Sequence, residues 1–218
     1  MKKVILCVFL MCAGLSSRAQ VARYGINAGI NLSEPVGNID TDGFKVGGKI
    51  GFRGEYDLKS ATDGLYLSSG LYWSQKGYKS NPYYGYGGDV NSEATSSINL
   101  NYLELPVHIG YKLACCNHLS IFGEAGPYAG YALWGKSTLK VDGKKVNSSS
   151  KVFGKNGFRH FDAGVGVQIG VQFFEHYQLI AGYERGLTQL SKDFDSGLPL
   201  AKEKYRNSSL DITFAYEF

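Results

Sequence analysis

Apolar and polar residues alternate along this chain with a period of two, from just after residue 20 to the last residue, in eight segments parted by turn-rich connections. A period of two places successive side chains on opposite faces of a strand, so each segment predicts a β-strand with two unlike faces. In the first, Tyr24, Ile26, Ala28, Ile30 and Leu32 oppose Arg23, Asn27 and Asn31. The second sets Val46, Ile50, Phe52 and Tyr56 against Lys45, Lys49, Arg53, Glu55 and Asp57, and the third sets Leu65, Leu67, Leu71 and Trp73 against Tyr66, Ser68, Tyr72 and Lys76. The fourth carries Leu103, Leu105, Val107, Ile109, Tyr111 and Leu113 on one face, with Tyr102, Glu104, His108 and Lys112 on the other. In the fifth, Leu119, Ile121, Ala125, Ala129, Tyr131 and Leu133 oppose Ser120, Phe122, Glu124 and Tyr128, and Pro127 with its neighbouring glycine predicts a bend or bulge. The sixth is unbroken from Phe161 to Phe173, with His160, Asp162, Gln168 and Gln172 on its polar face; the seventh covers Tyr177 to Glu184, and the eighth Ser209 to Phe218.

The connections alternate in length. Residues 33–43, 78–96, 135–157 and 189–206 are long, while 58–63, 114–118 and 174–176 are short. Transmembrane barrels have this asymmetry, with short periplasmic turns and long outer loops. A soluble barrel also alternates, with its apolar face turned inward, so alternation alone does not separate the two. The composition of the faces does. The polar face mixes Arg, Lys, Glu, Asp, His and Gln with many glycines, and the apolar face puts Tyr24, Tyr56, Trp73, Tyr111, Phe161, Phe173, Tyr177 and Phe218 near strand ends, where interfacial girdles sit. The expectation is an all-β chain, an eight-stranded antiparallel transmembrane β-barrel with up-and-down meander topology.

The first residues change the bookkeeping. Lys2 and Lys3, the apolar run from Val4 to Leu15, and Ser17-Arg18-Ala19 read as a cleaved secretion signal over 1–19, leaving 20–218 as one barrel domain. Neither Cys7 nor Cys12 follows a small residue in a lipoprotein setting. Loss of Lys2, Lys3 and Arg18 takes the formal charge from +4 to 4 − 3 = +1, which removes a nucleic-acid argument from net charge. Of the cysteines only Cys115 and Cys116 then remain, adjacent, and no disulfide framework is expected.

The alternating terminus Leu210-x-Ile212-x-Phe214-x-Tyr216-x-Phe218 looks like the C-terminal signal that barrel-assembly machinery reads, with Phe214, Tyr216 and Phe218 as its apolar positions. With Tyr102-Leu103-Glu104-Leu105-Pro106-Val107, Asp162-x-Gly164-x-Gly166 and Gly182-Tyr183-Glu184-x-Gly186-Leu187, it makes the chain resemble PorT-like, porin-family outer-membrane barrels, similar in architecture to OmpA- and OmpX-type small barrels. That resemblance implies the cell outer membrane, outer-membrane lipid and lipopolysaccharide as surroundings, the assembly machinery as a partner during biogenesis, and other envelope proteins as candidate partners. It specifies architecture and leaves activity open.

Eight strands enclose a bore that side chains fill, so the expectation is a plugged lumen. Lys49, Arg53, Glu104, His108, Lys112, Glu124, Asp162, Glu184 and Asp211 form the expected lumen charge network, with Arg23, Lys45, Lys76, Glu55, Asp57 and Glu217 on the same face. His108 with Glu104, and His160 with Asp162, share a face as a carboxylate-oriented base would, but no Gly-x-Ser-x-Gly supplies a nucleophile. No catalytic residue, cofactor or metal ligand is assigned, and the chain is not read as an enzyme. In the long connections, Tyr83, Tyr84 and Tyr86 are able to stack on sugars or protein, and Lys140, Lys144 and Lys145 belong to a net-basic segment able to meet lipopolysaccharide phosphates. Three roles remain open: a structural or surface-interaction barrel, which is preferred, a secretion or transport component with a narrow pore, and a lipid-modifying enzyme.

Overall fold

The computed structural model describes residues 22–37, 41–58, 64–80, 82–84, 92–154, 157–190 and 205–218. The expected signal segment 1–19, the first two residues after it and Tyr86 lie outside the described residues. Among those described, the strands in chain order are β1 (Ala22–Ser33), β2 (Val36–Gly37), β3 (Lys45–Asp57), β4 (Leu65–Lys79), β5 (Tyr83–Tyr84), β6 (Glu93–Cys116), β7 (Leu119–Val141), β8 (Lys144–Ser149), β9 (Phe161–Phe173), β10 (Tyr177–Gly186), β11 (Tyr205–Arg206) and β12 (Ser208–Glu217). Eight of them pair antiparallel in the order β6-β4-β3-β1-β12-β10-β9-β7, and the β6–β7 ladder closes the sheet on itself. Each long strand pairs with its neighbour in sequence and β1 with β12, which is an eight-stranded meander without a free edge in the barrel wall.

Burial decides which face is which. Along β10 and β12 it alternates residue by residue, and the exposed positions are the apolar ones. Ile169 is 69% and Phe52 68% exposed, whereas Asn31 and Asp162 are wholly buried. A soluble barrel shows the reverse. An apolar surface continuous around the wall requires hydrocarbon outside it, because in water it would be an aggregation surface. The aromatic bands take their places on this surface: Tyr177 packs against Tyr216 and Phe214 at the end carrying the short turns, and Trp73, Leu103, Tyr131 and Phe161 form a cross-strand row towards the other end.

Inward glycines make room for rings lying across the bore. A Cβ at Gly110 would fall on the Tyr66 ring, and one at Gly170 on the Phe122 ring; these two rings meet edge to face at 6.5 Å. Gly110→Val and Gly170→Val are each expected to cost about 1–3 kcal/mol through overpacking. The readout is the urea midpoint of the folded band that migrates differently unboiled, and wild-type midpoints would show that the bore has slack at these rings.

Two sequence expectations change. Residues 135–157 do not form a long loop: β7 runs on to Val141, turns at Asp142-Gly143 and returns as β8, while β6 begins at Glu93, inside the expected 78–96 connection. Polar residues pair as readily above a membrane as apolar ones within it, because the ladder satisfies backbone groups whatever the side chains. Of the bend or bulge expected at Pro127, no bulge forms. β6 and β7 keep one register from Pro106↔Tyr128 to Ile109↔Ala125, and only ladder pairing lapses between, where two prolines lack the N–H. The register shifts fall instead at Leu133-Trp134 and at Cys115-Cys116. Both cysteines are exposed and unbridged.

Candidate functional site: the charged bore and the outer rim

Lumen charges on β3, β4, β6, β7, β10 and β12 meet across the bore. Two strands separate β3 from β7 in the wall, yet the Arg53 guanidinium donates to both carboxylate oxygens of Glu124, at 3.0 and 2.6 Å, and to Glu55 Oε1 at 3.0 Å. Glu124 also accepts from Tyr66 Oη at 3.1 Å and Ser68 Oγ at 3.0 Å, and lies 3.2 Å from His108 Nδ1. A planar fork suits this position, since one Arg holds a carboxylate in two bonds and still reaches a second.

Nearer the outer end, Lys76 Nζ lies 2.6 Å from Glu104 Oε1 and 2.7 Å from Glu184 Oε2, and Lys49 Nζ lies 2.8 Å from Glu184 Oε1 and 2.9 Å from Asp211 Oδ1. Lys49 is 4% and Lys76 1% exposed. Ammonium groups so placed are strongly bound by their carboxylates, because desolvated charge without a partner is very costly. Towards the short-turn end, Glu55 takes Lys112 Nζ at 2.6 Å and Gln178 Nε2 at 3.0 Å, and Gln178 and Gln172 donate to the two oxygens of Glu217. Below them opens a cavity of about 740 Å³ lined by Arg23, Asp57, Lys112, Cys115, His118 and His176 among others.

The structure thus brings together Lys49, Glu184 and Asp211; Lys76 joins Glu104 to that group; and Arg53, His108 and Glu124 form a second group with Glu55, which links on to Lys112. Asp162 stands apart. It accepts from Tyr128 Oη, Thr188 Oγ1 and Asn207 Nδ2 and has no cation among its described hydrogen-bond partners. Both same-face histidine pairings fail. His108 turns to Glu124, not Glu104, because the β6–β7 register sets Glu124 near it. His160 precedes β9, with its ring stacked between Tyr131 at 5.2 Å and Phe153 at 4.2 Å and Nδ1 on the Ala132 carbonyl, so it is a rim residue away from Asp162. Gln172, Gln178, Tyr66 and Ser68 belong to the network and were legible only as inward positions; Thr188 and Asn207 carried no periodic signal.

Above the charges the bore ends in an apolar layer. Ile98, Leu100, Tyr102, Ala132 and Val152 form a buried cluster with Tyr78, Phe153 and Phe158 against it, and Tyr205 packs on Tyr78 and Phe158. Leu190 is fully buried, and β2 pairs with β11 beside Tyr205. Of the loop tyrosines, Tyr84 is exposed on β5, and Tyr83 pairs its backbone with Ala94. Lys140, Lys144 and Lys145 are exposed on the β7–β8 hairpin, with Lys140 opposite Lys145 and Lys144 opposite Val141. Phe214 on β12 and Phe218 just past its end are exposed, while Tyr216 is half-buried between Tyr177, His176 and Phe218.

A family model described as outer membrane protein beta-barrel domain matches residues 17–192, most of the chain. No curated protein matches. Among solved structures, Neisserial surface protein A is 12% identical, with 91% of this chain and 99% of that chain covered and a TM-score of 0.45. OprG from Pseudomonas aeruginosa is 15% identical over 91% and 97%, with a TM-score of 0.44, and a major outer membrane protein from Thermus thermophilus is 13% identical over 91% and 100%, with a TM-score of 0.45. These are likenesses of overall shape, and the assignment rests on the family match together with the inverted faces of the barrel. The chain belongs to the outer membrane protein β-barrel domain family and is an outer-membrane protein.

Proposed function

We propose that this protein is a barrel with a plugged lumen that acts by structure or by surface interaction and not by conducting solutes. The observation that carries this reading is the content of the bore: Lys49, Arg53 and Lys76 are each 4% exposed or less, each is bonded to carboxylates from other strands, and an apolar layer stands over them. Opening a path means breaking several buried ion pairs at once, and each broken pair leaves a charge uncompensated. Purified protein in a planar lipid bilayer is expected to give no large, steady conductance steps between pH 5 and 8. Steps that scale with salt concentration would overturn the reading.

The finer likeness to PorT-like barrels rests on the terminal alternation and the mid-barrel motifs quoted above, and it carries the alternative of a secretion component. Stable copurification with other envelope subunits after crosslinking favours that alternative. Its absence, together with unchanged lipid A in a deletion strain, favours a structural or surface-interaction barrel over both the secretion role and a lipid-modifying enzyme.

A further inference from the structure

The register shift on β7 changes what its upper half faces. Ala132 is fully buried in the cap, and a Cβ on Gly135 would meet Val152 and Leu100, so both positions point inward. Two residues, Leu133 and Trp134, stand between them, and both are exposed, at 43% and 55%. This is a two-against-one bulge, and beyond it the parity of β7 is reversed. Below the bulge the even positions Phe122, Glu124 and Tyr128 line the bore. Above it the even positions Trp134, Lys136 and Lys140 lie on the outside, on the face that lower down carries Tyr131 and meets lipid. Lys145, directly opposite Lys140 on β8, shares that face, while Lys144, opposite Val141, lies on the other.

A lipid-facing wall thus continues without interruption into a basic surface. Lys136 lies two residues above Trp134, roughly 7 Å along the strand, and Lys140 four residues further on. An exposed Trp at the upper end of the apolar wall marks the level of the lipid headgroups. Lys136, Lys140 and Lys145 are exposed, and none has an ion-pair partner among the described residues. The acidic groups nearby, Glu93 and Asp142, sit at the far tip, where Asp142 Oδ1 accepts the Glu93 N–H. Three lysines in this position are charge-complementary to phosphate at the membrane surface, where each Lys adds to the attraction for anionic lipid.

We propose that the outward face formed by Trp134, Lys136, Lys140 and Lys145 binds the phosphate groups of an outer-leaflet glycolipid. The site needs only the surface-interaction half of the reading above and is independent of whether the bore conducts. Its partner is a lipid taken laterally from the membrane, since the face is reached along the lipid-facing wall and not over the barrel mouth.

The test uses the full mature barrel in dodecyl maltoside. The chain has two tryptophans, so Trp73→Phe leaves Trp134 as the only reporter. Titration with diphosphoryl lipid A is expected to give a saturable change in Trp134 emission, weakened by added salt. K136Q/K140Q/K145Q in that background is expected to bind at least tenfold more weakly, whereas K144Q, on the opposite face of the same hairpin, stays within twofold. Equal weakening by K144Q would reduce the effect to net charge and overturn the site. So would a triple variant that binds like its parent, or competition by equimolar inorganic phosphate, which would assign the face to a soluble anion. The unboiled-band shift of every variant confirms that its barrel is folded, and the conductance measurement on the same preparations separates failure of this site from failure of the plugged-lumen reading.

Discussion

Replacing Arg53 with methionine is expected to destabilise the folded barrel by about 3–5 kcal/mol, among the largest losses of any single lumen substitution. The guanidinium holds Glu124 through two bonds and Glu55 Oε1 through two more, from Nε and Nη2, and all three side chains are almost wholly buried. Methionine fills much of the same space but leaves two carboxylates facing each other, with Arg23 and Lys112 still beside Glu55 and only the His108 ring beside Glu124. The double variant R53M/E124L removes charge from both sides and is expected to be more stable than R53M alone, because an absent pair costs less than a broken one. Reversible urea unfolding in micelles, followed by the unboiled gel band and by tryptophan emission, measures both. A loss below about 1 kcal/mol for R53M would mean that water reaches the site freely. The bore would then be wet, and the non-conducting reading would fall with it.

Val167→Arg tests the other face. Val167 lies at the middle of β9, is 53% exposed and points away from the bore between Gly166 and Gln168. If hydrocarbon surrounds it, an arginine there costs about 2–4 kcal/mol near the midplane of the bilayer. If water surrounds it, the same change on an exposed strand position costs roughly 0.5 kcal/mol or less. Refolding into phosphatidylcholine vesicles, with Val167→Leu as the size-matched control, reads the difference directly. A near-neutral arginine would contradict the inverted arrangement of faces on which the membrane assignment stands.

Much of this was legible beforehand, and the reason is local. Alternation from Phe161 to Phe173 or from Leu210 to Phe218 is imposed by the pleat of a single strand, so it survives in the sequence whatever the neighbours are. The strand order followed because short and long connections alternate, which leaves a meander as the simple topology. Inward charges were likewise visible as a class. Their partners were not, since pairing depends on the shear with which the barrel closes, and residues equally inward in sequence stand at different heights in the bore. His108 shares a face with Glu104 four residues away, yet meets Glu124 on the next strand. His160, placed in the lumen by parity, sits in an aromatic stack at the rim, where its ring nitrogen and its carbonyl both bond the Ala132 backbone.

The sequence by itself therefore determined the class of fold, the number of wall strands, and which residues face lipid and which face the bore between the turns. The tertiary structure alone decided which charges neutralise each other and where alternation stops predicting a face. Period two carries information only while register is kept, and one extra residue, inserted between Ala132 and Gly135, exchanges inside for outside along everything above it. That bulge leaves no mark in the alternation of the strand below. It lies in the pairing of β7 against β6 at the rim, and it moves Lys136 and Lys140 from the inward to the outward face of the strand.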